Sequence, residues 1–276
     1  MKQARKTDLF RRSLLAVALG LTTFSITKDE PVRQISFQEA RENRFVRQSY
    51  IDQVVRELDV PRYISAITYV TPENRVEFEK GLGYKSEPEP DEVMRNFEEV
   101  DDFQMDRYGV KSRIAVFPLA FEREDYISSD LEFKLVLGVH EFQHAKQHYG
   151  GMEGEFSKRE LFLNISGPEK GKINWLFADA VTELEASEKE LLDPRFPSTS
   201  ANHKNAVISY YGMSMADLRK VTTCDSAAIK KVVKRYTPTA RKFGLIRRVI
   251  DTSTGEAGYG FEKVEGGMMI IPYVEE

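Results

Sequence analysis

The chain has 276 residues, 41% of them hydrophobic and 11% aromatic, which is enough to bury a core and excludes bulk disorder. Its 40 Lys and Arg against 44 Asp and Glu leave a net charge of −4. That balance argues against nucleic acid as a partner, because general nucleic-acid binders are strongly basic. The single cysteine, Cys224, excludes an internal disulfide framework and a cysteine-built zinc knuckle.

At the N-terminus, Lys2, Arg5, Lys6, Arg11 and Arg12 precede an apolar run from Leu14 to Ile26. A basic region followed by a short apolar one is the layout of an export signal. As a helix the run spans roughly 20 Å, short for a membrane crossing. Arg11-Arg12 resembles a twin-arginine signal, with Phe10 where Ser or Thr is usual. The expectation is a signal peptide or membrane anchor over residues 1–29. The remaining 30–276 is then an extracytoplasmic domain, exported or tethered by that hydrophobic segment.

Ser36-Phe37-Gln38-Glu39 fits a capping box and predicts a long charged helix reaching Leu58. Arg62 to Val70, rich in β-branched and aromatic residues, predicts a strand. The Glu87-Pro-Glu-Pro-Asp91 stretch is a break, and an acidic helix is expected after it, to about Phe103. Ile114 to Phe121 predicts a second strand, and Pro118 within it points to a sheet edge. A second capping box, Ser129-Asp130-Leu131-Glu132, opens a helix that Gly150-Gly151 stops. A further helix covers about Gly171 to Leu192, ended by Asp193-Pro194. Helical patterns resume over 199–221 and 225–248, and the glycine-punctuated tail, about 249–276, predicts a β-hairpin. The class is α+β, with strands early and helices later.

Three of the four histidines fall within nine residues. His140-Glu141-Phe142-Gln143-His144 is an HExxH motif. Histidines four apart share one helical face, so both imidazoles can reach a single Zn²⁺. Glu141 points close enough to hold a water on the metal and to take its proton as it attacks a carbonyl. With four histidines and 44 acids in 276 residues, chance places roughly 0.007 such motifs in a chain. Its setting fits too: a capped helix, apolar Leu135, Val136, Leu137 and Val139, and a glycine stop.

With these residues the sequence resembles the zincin metallopeptidases. Gly138, Phe142, Gln143 and Ala145 match the uncharged surroundings of the zincin motif, and Lys146 departs from them. The metzincin branch needs a histidine ten residues after the first, where this chain has Gly150. His148, about 80° further round the helix, reads as a surface histidine at the helix end. The resemblance is therefore to the gluzincin-like branch, whose third ligand is a Glu on a later helix. Glu183, with Ala186 and Ser187, is similar to the E-x-x-A-D form of some membrane-linked gluzincins, with Ser for Asp. Glu183 is the expected third ligand, and Glu185 and Asp179 are the alternatives. Runs of helical Glu are usually a solvated face, and Glu188 and Glu190 fit that reading.

The resemblance also implies a zincin-like fold, with a small mixed sheet whose edge strand lies beside the HExxH helix and a mainly helical part after it. That edge strand binds the substrate backbone. A downstream His or Tyr stabilises the oxyanion, for which His203, Tyr210 and Tyr211 are candidates. From Arg219 to Arg248 there are ten Lys or Arg and one acid, Asp225. Two helices with Cys224-Asp225-Ser226 between them could pass for a helix-turn-helix. The default reading is a solvated surface that pairs with the acidic stretch Glu87 to Asp106, and an anionic membrane surface is the further partner such a patch suits. The expected function is a zinc metallopeptidase, with His140, His144 and Glu183 on the metal, Glu141 as general base, and a peptide or protein as substrate. The alternative is a zinc-binding, non-proteolytic interaction protein, a degenerate zincin.

Overall fold

Both serine caps form. Ser36 Oγ accepts from the Glu39 N–H at 3.1 Å and opens α1 (Phe37–Glu42). Ser129 Oγ accepts from the Glu132 N–H at 3.3 Å and opens α5 (Asp130–Leu135). The computed structural model describes residues 33–80, 82, 88, 92–99, 110–150, 170–220, 226–250, 257–262 and 268–272. The expected signal or anchor over 1–29 lies outside the described residues. Ile35–Glu276 forms one unit. No helix among the described residues is long and apolar enough to cross a membrane.

The first helix does not run through to Leu58. Asn43 adopts an extended conformation, and its side chain accepts from the Phe45 N–H at 3.1 Å. Asn competes for backbone hydrogen bonds in this way and breaks helices. The chain restarts as α2 (Arg47–Glu57). Phe37, Tyr50, Phe121 and Phe133 then pack as an aromatic cluster, with ring centroids 5.2 to 6.0 Å apart. Tyr50 donates its hydroxyl to Asp130 Oδ1 at 2.7 Å, which ties α2 to the start of α5.

Three strands form a mixed sheet in the order β1 (Ile64–Tyr69), β3 (Ser112–Val116), β2 (Met94–Glu98). β1 runs parallel to β3 and β2 antiparallel to it. The short α3 (Arg75–Phe78) lies between β1 and β2 in the chain. Two expectations fail here. Residues 94–98 form a strand and not the start of an acidic helix, because ladder pairing with β3 outweighs the helix preference of their charged side chains. β3 is the central strand, and the edge beside the HExxH helix is β2. Pro118 lies past the strand, where φ −51° suits the start of α4 (Leu119–Glu122).

From α5 the chain stays helical through Gly150 but changes pitch. Val136–Glu141 is π-helical, and α6 (Phe142–Gly150) follows. Such insertions are rare and gather at functional sites. A Cβ on Gly138 would stand 3.0 Å from Leu58 Cδ2, so glycine permits the close approach of this turn to the end of α2. The later helices are α7 (Lys170–Leu192), α8 (Ala201–Lys220) and α9 (Ser226–Lys242). Gly244, at φ +73°, follows the last of these. The chain then forms an antiparallel sheet of β4 (Ile246–Ile250), β5 (Ala257–Glu262) and β6 (Met268–Pro272). The expected helix to 248 is therefore shorter, and the expected hairpin is three-stranded.

Two apolar clusters result. One joins α1, α2, the first sheet and the HExxH helix through Val136, Leu137, Phe142 and Ala145. The other joins α7, α8 and α9 through Phe177, Val181, Leu184, Tyr211 and Tyr236. The HExxH helix and α7 meet along the boundary between them.

Candidate metal centre

His140 lies near the end of the π-helical turn and His144 follows four residues on, in α6, so both imidazoles face α7. His140 Nε2 and His144 Nε2 are 3.2 Å apart. Glu183 of α7 completes a triangle, with Oε2 3.5 Å from His140 Nε2 and Oε1 3.3 Å from His144 Nε2. An ion held tetrahedrally at 2.0–2.1 Å from its ligands sets ligand atoms about 3.4 Å apart. The nitrogen–nitrogen distance and the two distances to the Glu183 carboxylate, one to each of its oxygens, are close to that spacing. This is the one group of three or more metal-ligating side chains among the described residues.

Proton positions follow from the partners of the other ring nitrogens. Gln147 donates Nε2 to the Thr182 carbonyl at 3.0 Å and to Glu185 Oε2 at 2.8 Å, which leaves its amide oxygen to face His144 Nδ1 at 2.9 Å. An amide oxygen only accepts, so His144 carries its proton on Nδ1 and turns the Nε2 lone pair into the triangle. His140 Nδ1 lies 3.3 Å from Glu190 Oε2, also an acceptor. Two lone pairs and a carboxylate thus converge in a buried space, a repulsive arrangement that a cation or added protons must relieve. Burial opposes charge on His140, yet Glu183 and Glu190 outweigh it and raise its pKa well above the ordinary value. Burial likewise disfavours the Glu183 carboxylate, while His144 and His140 hold it far below the usual carboxylate range.

Glu141 is 5% exposed, and its Oε2 has no hydrogen-bond partner. Burial pushes its carboxyl above the ordinary value against the pull of His144 and His140. Its backbone carbonyl accepts from Asn96 Nδ2 of β2 at 3.3 Å. On α8, the exposed Tyr210 has its ring centroid 6.4 Å from that of His140.

The other two candidate acids of α7 lie apart from the cluster. Glu185 is bound to Gln147, and neither it nor Asp179 belongs to the cluster. Of the three oxyanion candidates, His203 is fully buried, with Nε2 2.9 Å from Glu190 Oε1 and Nδ1 2.7 Å from the Tyr126 carbonyl. Tyr211 is fully buried too and donates to the Tyr236 carbonyl at 2.9 Å. Tyr210 alone faces the cluster. His148 is not simply a surface residue, because its Nδ1 pairs with Glu98 of β2.

Glu188 and Glu190, read as a solvated face, are 4% and 0% exposed. Glu188 binds Arg235 through both guanidinium nitrogens, at 3.1 and 2.7 Å. At least one cation of the basic region therefore pairs with α7 and not with the acidic stretch 87–106. Sequence reasoning missed Gln147 and Glu190 as supports of the site. Spacing was a usable signal for both: Gln147 is three residues after His144, and Glu190 is seven after Glu183, two turns along one face. Comparison with protein-family models, with curated proteins and with solved structures finds no match.

Proposed function

We propose that the protein is a zinc-dependent metallopeptidase of gluzincin-like type. The observation that carries the reading is the cluster of His140 Nε2, His144 Nε2 and the Glu183 carboxylate, with the buried Glu141, whose Oε2 has no hydrogen-bond partner, next to His140 in the chain. Two imidazoles and one carboxylate are a donor set that suits zinc with an open coordination position. Zinc held there supplies a Lewis acid that polarises a carbonyl and acidifies water.

The chain's own residues divide the remaining work. Glu141 accepts a proton from the attacking water and returns it to the leaving amine. The Tyr210 hydroxyl donates a hydrogen bond to the oxygen that gains charge. β2, which has β3 as its sole neighbour among the described residues, offers a free edge on which an extended peptide adds as a strand. Residues 1–29 export or tether the enzyme, and the ten Lys and Arg of 219–248 suit anionic headgroups when the enzyme is tethered. A degenerate, purely binding zincin would have no use for Glu141, whose buried carboxylate is costly to keep without a chemical role.

The test is zinc per chain by elemental analysis on residues 30–276, with His144→Ala and Glu141→Gln alongside. About one zinc is expected in wild type and Glu141→Gln, and none in His144→Ala. Peptide-library cleavage should fall about 10²–10⁴-fold in Glu141→Gln. Absence of zinc in the wild type, even after refolding with excess metal, would sink the reading.

A further inference from the structure

His140 is backed by a chain of buried polar groups that reaches 63 residues further along the sequence. Glu190 Oε2 lies 3.3 Å from His140 Nδ1, an ion-pair contact between two buried atoms that have no hydrogen-bond partner. The second oxygen of Glu190 lies 2.9 Å from His203 Nε2, and His203 Nδ1 lies 2.7 Å from the Tyr126 carbonyl. Glu190 and His203 are both fully buried, and Tyr126 stacks on the His203 ring at 5.5 Å. A carbonyl and a carboxylate both accept, so His203 carries protons on both nitrogens. A buried carboxylate without a counter-charge is strongly disfavoured, and the His203 imidazolium supplies that charge.

Resting on the zinc reading above, we propose that Glu190 and His203 form a positioning pair that fixes His140 as the Nδ1–H tautomer, with Nε2 aimed at the metal. Carboxylates behind metal-binding imidazoles raise ligand basicity and lock ring orientation. The residue one turn after Glu183 is Ser187, a buried hydroxyl with no hydrogen-bond partner, so α7 supplies its carboxylate two turns on. Loop, α7 and α8 all contribute to the pair, which makes the orientation of His140 depend on the packing of three segments.

The experiment measures zinc affinity by chelator competition, and the absorption spectrum with Co²⁺, for wild type, Glu190→Gln and His203→Gln. Metal-free thermal midpoints accompany both. The expected result is 10- to 100-fold weaker zinc binding and an altered Co²⁺ spectrum in both variants. Lowered midpoints with unchanged affinity and spectrum would overturn the proposal and leave the pair a tie between α7 and α8. If the variants do not fold, ¹⁵N-histidine NMR of the zinc-loaded wild type decides. A protonated His140 Nδ1 and a doubly protonated His203 at neutral pH are expected, and a neutral His203 or a protonated His140 Nε2 overturns the pair. Zinc bound by wild type with unaffected variants defeats this inference alone; no zinc in wild type defeats both.

Discussion

Gln147 holds His144 from behind: its amide oxygen is 2.9 Å from His144 Nδ1, and its amide nitrogen is 2.8 Å from Glu185 Oε2. One neutral side chain therefore sets an imidazole's tautomer and also partners a buried carboxylate. The two imidazoles of the HExxH motif are thus supported differently, His140 by a charged pair and His144 by an amide.

Removing Gln147 should cost both stability and metal affinity. Gln147→Ala leaves Glu185, which is 3% exposed, with one donor fewer, a loss of about 1–3 kcal/mol. The freed His144 ring should weaken zinc binding by about tenfold or more. The double variant Gln147→Ala/Glu185→Ala should recover stability in urea titrations and leave zinc affinity low. Recovery of both quantities together would mean that Gln147 only repairs the burial of Glu185.

Adjacent tyrosines on α8 should behave as opposites. Tyr210, beside His140, should lower kcat about 10²–10³-fold as Tyr210→Phe, with KM and thermal midpoint close to wild type. Tyr211→Phe leaves the Tyr236 carbonyl without that donor, so it should lower the midpoint and spare kcat. Steady-state kinetics and melting curves on the two variants check this, and the reverse pattern would remove Tyr210 from the chemistry.

Glu132 should contribute acid-sensitive stability away from the metal site. Its carboxylate accepts from the Ser200 N–H at 2.7 Å and from the Ser128 N–H and hydroxyl at 2.6 and 2.7 Å. Burial opposes ionisation, but these donors hold its pKa below the ordinary carboxylate value. A lowered folded-state pKa means the contribution is complete above the unfolded value, about 4.3, and is lost as pH falls through the folded one. Glu132→Gln should therefore unfold at lower urea than wild type near neutrality, with the gap closing as pH falls below about 4. A gap that does not change with pH would show that ionisation of Glu132 contributes nothing.

The sequence by itself determined what is local in this protein. HExxH needs only the i, i+4 geometry of a helix to place two imidazoles together, and Ser36 and Ser129 cap helices three residues away. The limits of α7 were equally legible, because Asp193-Pro194 ends it within its own neighbourhood. Glu183 was singled out through a resemblance, and the tertiary fold brought it to the histidines over Glu185 and Asp179.

Tertiary structure alone decided what depends on partners far along the chain. Residues 94–98 look helical until β3 offers a ladder, and Pro118 looks like the mark of an edge strand until the strand is seen to end before it. The π-helical turn at Val136–Glu141 leaves no mark in the apolar spacing. Glu190 has the composition of a solvated helix face, and only the docking of α8 turns it into a buried carboxylate between His140 and His203. A side chain's charge is written in the sequence, but whether water or another residue compensates it depends on which segments pack together.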